Sequence, residues 1–268
     1  MRLLLSLVLI TNCAMGQNTP MHFDDENFAY QVKQVDEFIE RFNNTNETLI
    51  KSYLKDRYNL EVSREELVAS LFDFSKKDWN KQQIEQFLED VVYQTDPPYI
   101  SFYDQGWYAK VVCKGRYDRK NVYFSLIMSV KHDLDNETVN WVINSIDADF
   151  LRIHGEVTND MILPPNSHGT DFLELKRIFN SPELYIDRSR SNENPVNKLL
   201  QSVRQGKLQY MHVDNVSYHF MQLDNWIFKV EEFDRQEKNN GWLISELYTA
   251  DQAEKDRYLS SQLYILPH

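Results

Sequence analysis

The sequence predicts an α+β protein of two tandem units, each with N-terminal helices packed on a curved antiparallel sheet. Three observations predict it. Apolar residues recur at spacings of three and four over 28–92 and again over 172–203, the period of amphipathic helices. They recur at spacing two over 107–146 and 208–248, the period of strands. The ends of the two halves also resemble each other. Asn121-Val122-Tyr123-Phe124 pairs with Asn225-Trp226-Ile227-Phe228, and Trp141-Val142-Ile143-Asn144-Ser145-Ile146 pairs with Trp242-Leu243-Ile244-Ser245-Glu246-Leu247.

In chain order, Phe28, Val32, Val35, Ile39 and Phe42 define one face of a first helix, and Leu49, Ile50, Tyr53 and Leu54 that of a second. Ser63-Arg64-Glu65-Glu66 is a capping box, with Val62 and Leu67 as its hydrophobic staple, and it opens a third helix. Ile84, Phe87, Leu88 and Val91 mark a fourth, which Asp96-Pro97-Pro98 ends. Trp107, Ala109, Val111 and Cys113 share one strand face, and Phe124, Leu126, Met128 and Val130 share the next. Asp133 to Glu137 turns the chain into a third strand; it lacks the glycine and glutamate that close a calcium loop. The boundaries that follow are a first unit over 17–153, a linker over 154–169 containing Pro164-Pro165-Asn166-Ser167-His168-Gly169, and a second unit over 170–268. In that unit Phe172, Leu175, Ile178 and Phe179 mark a helix. Asn194, Pro195 and Gly206 bracket another as N-cap, first turn and left-handed stop. Strands are expected at 208–213, 216–223, 226–233 and 242–248, then a polar helix within 250–262 and a docking tail, Tyr264-Ile265-Leu266.

The first sixteen residues read as a signal peptide: Arg2, the apolar run Leu3 to Ile10, then Ala14-Met15-Gly16 before a cut at Gln17. Export to the periplasm or the exterior is the expectation, with lipidation at Cys13 as the rival. The apolar run is far below the roughly 20 residues of a spanning helix, so no stable transmembrane anchor is expected. The net charge of −12 repels nucleic-acid phosphates, and no basic cluster offsets it. Processing leaves Cys113 as the one thiol, read as a buried strand residue. No zinc-hydrolase motif, paired Cys site, nucleophile elbow or phosphate-binding glycine loop occurs, so neither metal nor cofactor is expected.

Gly241-Trp242-Leu243-Ile244 and the amphipathic stretch 27–42 resemble the late strand and first helix of the nuclear transport factor 2-like (NTF2-like) superfamily. The leader, with Gln at the cut, is similar to those of secreted proteins of Bacteroidota. The resemblance implies a cone-shaped sheet wrapped on helices around a pocket. In members with lyase or isomerase activity, Asp and His in that pocket do acid–base work. The first half departs from the pattern, carrying four helices and placing Asn140 where Gly241 stands in the second.

The candidate catalytic residues are His219, His212, Glu246 and Glu232. His212 and His219 fall on neighbouring predicted strands and can face each other across a hairpin, with Glu246 as the orienting carboxylate. Glu232 and Glu246 share the alternation of Trp226, Phe228, Trp242 and Ile244, where burial raises a carboxyl pKa. The structural reading of the same residues is a hydrogen-bonded histidine and a strand leaving the core. The candidate ligand-binding residues are Trp107, Tyr108, Tyr218 and Trp226, whose rings serve either a sugar platform or the sheet core. The sequence therefore leads to an exported non-enzymatic module that binds a small apolar ligand, a glycan or an envelope protein. The alternatives are a small acid–base lyase or isomerase and a structural envelope protein.

Overall fold

Local signals in the chain set where its helices begin. The Glu66 amide donates to Ser63 Oγ (3.2 Å) and the Ser63 amide to Glu66 Oε2 (2.9 Å), so the capping box forms. Asn194 Oδ1 accepts from the Val196 amide at 2.9 Å, with Pro195 in the first turn and Gly206 at φ +70 beyond the end. A second box, Asp251 with Glu254, opens the last helix.

A computed structural model describes residues 31–44, 49–59, 61–133, 138–162, 172–184, 194–235 and 239–266. The leader with Cys13, Phe28, turn residues 134–137, the Pro164–Gly169 stretch and loop residues 187–193 lie outside the described residues. Within them the helices are α1 (Val35–Asn43), α2 (Leu49–Tyr58), α3 (Arg64–Ser70), α4 (Lys81–Val92), α5 (Leu173–Asn180), α6 (Pro195–Arg204) and α7 (Gln252–Gln262). The strands are β1 (Trp107–Tyr117), β2 (Lys120–Asp133), β3 (Thr138–Ala148), β4 (Ile153–Ile162), β5 (Leu208–Phe220), β6 (Trp226–Phe233) and β7 (Gly241–Thr249).

The α+β class holds, but the strands form one antiparallel sheet in the order β4-β3-β2-β1-β5-β6-β7. Two separate sheets were expected. Each would have ended on an exposed edge, and pairing β1 with β5 removes both edges. That pairing runs from Trp107 opposite Phe220 to Tyr117 opposite Leu208. Alternation assigns residues to faces but does not name a strand's neighbour, which is why the central pair was not legible.

Three further expectations change. β5 runs unbroken through Asp214-Asn215: Asn215 pairs with Val112, and the register shift between Val112 and Cys113 takes up Asp214 as a bulge instead of a turn. Residues 154–162 of the expected linker are strand β4. The first helix begins at Val35, and Val32 instead bridges to Gly241 on the outer edge of β7.

The helix layers are exchanged between the halves of the chain. Phe38 stacks on Phe220 (5.8 Å between ring centres), Phe42 on Phe228 (6.0 Å), and Phe87 meets Trp226 edge-on at 5.2 Å. The early helices thus cover the late strands. Conversely, Phe172 and Phe179, at the N-cap and near the end of α5, pack on Trp141 and Phe124 at 5.3 and 5.6 Å. Each layer of the core therefore draws on both halves, and Cys113 sits in its middle, fully buried.

The opposite face of the sheet is crossed by α7 and the tail. The Lys255 ammonium, 8 % exposed, donates to the Met221 and Leu223 carbonyls at 3.0 and 2.6 Å, which anchors α7 to the β5–β6 turn. Leu263 and Ile265 cover Ile127 and Ile227. The Leu266 amide reaches Glu156 Oε1 on β4 at 2.7 Å. The expected docking tail is thus present, and it ends against β4.

Candidate functional site

Alternation along four neighbouring strands brings two rows of polar side chains to the face beneath α7. In one row Tyr108 (β1), His219 (β5), Lys229 (β6) and Glu246 (β7) are register partners in turn. In the row beside it stand Lys110, Ser217 and Glu231. The register shift between Lys229 and Val230 decides the position of Glu246. Lys229 pairs with Glu246 and Val230 with Ile244, so Ser245 is bulged out of the count. The bulge moves Glu246 off the apolar face of Trp242 and Ile244, where it was expected, and onto the outer face.

These rows and α7 surround a hollow of about 470 Å³. Its floor is His219, buried at 4 % exposure. Its Nδ1 lies 2.8 Å from the Tyr258 hydroxyl of α7, and its Nε2 lies 3.0 Å from Ser217 Oγ. Burial, followed by the charges of Lys229 and Lys110, pushes the imidazole down to about 3, so it is neutral over the whole range in which His normally titrates. Lys229 Nζ is clamped between Glu231 (3.0 Å) and Glu246 (3.1 Å). Burial is the largest single influence and works against its charge, but the contacts with Glu231 and Glu246 together outweigh it and hold the ammonium above its usual range. Glu246 is also partly desolvated. The Tyr248 hydroxyl bonded to its Oε2, together with Lys229, nevertheless keeps its carboxyl below the usual range. Its expected raised pKa is thereby corrected: two donors, one of them the Lys229 cation, outweigh burial. The phenols of Tyr258 and Tyr248 are pushed up, first by burial.

The other candidates lie elsewhere. His212 and His219 occupy the same strand, about 20 Å apart at the rise of an extended chain, and do not face each other. His212 is exposed, its Nε2 3.8 Å from Asp214. Glu232 lines a second hollow of about 530 Å³ with Trp242, Lys33 and Val213, beside the bulged middle of β5. Trp107, Tyr218 and Trp226 are 0–2 % exposed in the helix-covered core. Trp107 stacks on Phe220 at 5.4 Å, and Trp226 donates its indole N–H to Asp90 at 2.9 Å. Tyr108 is on the outer face, packed in the small cluster under the tail.

Among the described residues, Asp147, Asp149 and His154 form a three-ligand grouping at the β3–β4 connection. His154 Nδ1 and Nε2 are 2.7 and 3.5 Å from the two carboxylates. The imidazole thus lies between the carboxylates, each ring nitrogen turned toward a different one.

Sequence reading found His219 and Glu246 but missed Lys110, Ser217, Lys229, Glu231 and Tyr258. Polar residues opposite an apolar strand face are the default for a solvated sheet. Nothing in the polar helix 252–262 announced that it would fold back over them. No family model, curated protein or solved structure matches this chain.

Proposed function

We propose that this protein is an exported, non-enzymatic binding module whose hollow beneath α7 takes a polar, polyhydroxylated ligand of the glycan class. The observation that carries this is the lining of that hollow. It presents hydrogen-bond acceptors (Glu231, Glu254), donors (Lys110, Arg257) and the hydroxyls of Ser217 and Tyr258 together. A sugar's hydroxyl groups are donors and acceptors at once and use both kinds. The volume lies within the range of about 300–1,000 Å³ typical of small-ligand sites. The aromatic residues Trp107, Tyr218 and Trp226, which the sequence offered as a sugar platform, are taken up by the core, so the reading rests on the polar hollow alone.

Acid–base chemistry is the second reading, favoured by the convergence of His219, Tyr258 and Glu246. A general acid or base works best with a pKa near the operating pH. His219 at about 3, Glu246 held low and Tyr258 pushed up all move away from it. Binding without turnover is the reading that agrees with these shifts.

Descent from two copies of one unit, related to the NTF2-like superfamily, belongs to the same proposal. The paired hairpins β2–β3 and β6–β7 occupy corresponding places on either side of β1 and β5. Both carry a bulge at the third residue after the tryptophan: Asn144 after Trp141 and Ser245 after Trp242. Export rests on the leader and places a glycan-binding site where such ligands occur.

A thermal-shift screen of the chain from Gln17 with neutral and acidic saccharides, fatty acids and bile acids tests the proposal, since a ligand of the folded state raises the melting temperature. A saccharide-dependent rise that is lost in Tyr258→Ala is expected. A rise with fatty acids alone would overturn it.

A further inference from the structure

We infer that the hollow beneath α7 recognises a carboxylate on its sugar ligand, and that Lys110 is the residue that reads it. This rests on the glycan-binding reading above and narrows it to sugar acids.

The argument starts from charge. The lining holds three cations, Lys110, Lys229 and Arg257, and three carboxylates, Glu231, Glu246 and Glu254. With His219 neutral the hollow balances to zero, inside a chain whose net charge is −12. It is therefore less negative than the chain as a whole. The three cations are not equivalent. Lys229 has carboxylates at 3.0 and 3.1 Å on two sides, so its charge is already answered. Arg257 stands at the rim, its guanidinium 74 % exposed and 3.6 Å from Glu254. Lys110 differs from both. Its ammonium donates to a neutral acceptor, the Gln262 carbonyl at 3.2 Å at the end of α7.

Lys110 is half-buried, and burial is the first cause that lowers its pKa, followed by the opposing influences of Asp147 and Lys229. A desolvated ammonium that bonds a carbonyl retains donors and a charge that the Asp147 carboxylate answers only in part. A ligand carboxylate would restore both through a charge-assisted hydrogen bond. Beside Lys110 on the next strand, Ser217 offers a hydroxyl, and across the hollow Tyr248, 40 % exposed, offers a ring face against which a pyranose can stack. Glu231 and Glu254 are placed to accept from ring hydroxyls, and they would repel a second anionic group. The arrangement therefore fits a single carboxylate on a polyhydroxylated ring better than a polyanion.

The test follows amide shifts of Ser217, Lys229 and Tyr258 in the full mature chain, titrated separately with D-glucuronate, D-glucose and acetate. Glucuronate is expected to bind at least tenfold tighter than glucose or acetate. Lys110→Met is expected to abolish that preference, Lys110→Arg to retain it within threefold, and Lys114→Met, on the same strand outside the hollow, to leave it unchanged. Equal binding of glucose and glucuronate would overturn the carboxylate inference and leave the glycan reading standing. Acetate binding as well as glucuronate would overturn the sugar component. No shift of the three amides with either sugar would overturn both. A glucuronate preference that survives Lys110→Met would remove Lys110 from the role.

Discussion

On the helix-covered face of the sheet, Trp107, Cys113, Tyr218, Phe220, Trp226 and Phe228 are buried to 2 % exposure or less, ring against ring. On the opposite face of the same strands, Lys110, Ser217, His219, Lys229 and Glu246 surround open space. The first face has layers of aromatic side chains from both halves of the chain above it. The second has one polar helix, α7, anchored at its start by Lys255 and at its end by Leu263 and Ile265. A stack of helices carrying Phe, Leu and Val fills what it covers. A single helix that bears Glu254, Arg257 and Tyr258 toward the sheet leaves room and lines it with charge. The faces differ in what lies on top of them more than in the strands themselves.

The comparison is open to attack from the larger effects downward. Phe228→Ala, at the junction of Phe38, Phe42 and Phe87, should cost about 3–5 kcal/mol in chemical denaturation. A loss below about 1 kcal/mol would mean that the inner face has space to spare. Gly241→Ala should cost about 3 kcal/mol or more. The glycine sits at φ +83, and a Cβ there would overlap the Val32 carbonyl that seals the edge of β7. Gly206→Ala, at φ +70 with nothing within 4 Å, should cost only about 1 kcal/mol and serves as the control.

His219 makes a smaller prediction with a definite sign. Its folded value of about 3 lies below the unfolded 6.5, so between these the unfolded chain binds the extra proton. Its contribution is whole above pH 6.5 and falls by about 1.4 kcal/mol per pH unit as pH drops toward 3. From pH 6.5 to 5 the wild type should lose about 2 kcal/mol, and His219→Gln should flatten that slope. Equal slopes in the two proteins would show that the imidazole is not buried as described. The smallest effect belongs to Glu246→Gln. Lys229 keeps Glu231, and a partly exposed pair is worth about 0–1 kcal/mol, so stability should change by no more than that.

Much of the fold was legible because its signals are local. Ser63 with Glu66, Asn194 with Pro195, and the alternation of Trp107, Ala109, Val111 and Cys113 each needed only a few neighbouring residues to be read. What was missed depends on partners far along the chain. Nothing near β1 says that β5 pairs with it, and nothing near Phe38 says that it stacks on Phe220. The site divides the same way. His219 was noticed for its chemistry and Glu246 for its place in an alternation, but one bulge at Ser245 put Glu246 on the other face. Trp107, Tyr218 and Trp226 were candidates because aromatic rings serve ligands and cores alike, and only the helices above them decide between the two. Tyr258 became part of the site because α7 folds back, a contact spanning from residue 219 to 258.

Cys113 gives the most direct test of whether the inner face is closed. It lies at the centre of that face, fully buried, with its thiol pushed up by burial, and in a chain starting at Gln17 it is the sole cysteine. Thiol labelling under native conditions should proceed only through unfolding, with a rate that climbs with denaturant, whereas a Cys113→Ser, Glu231→Cys variant should label promptly from the outer hollow. Native labelling of Cys113 as fast as that variant would place open space beneath the helices and contradict the account.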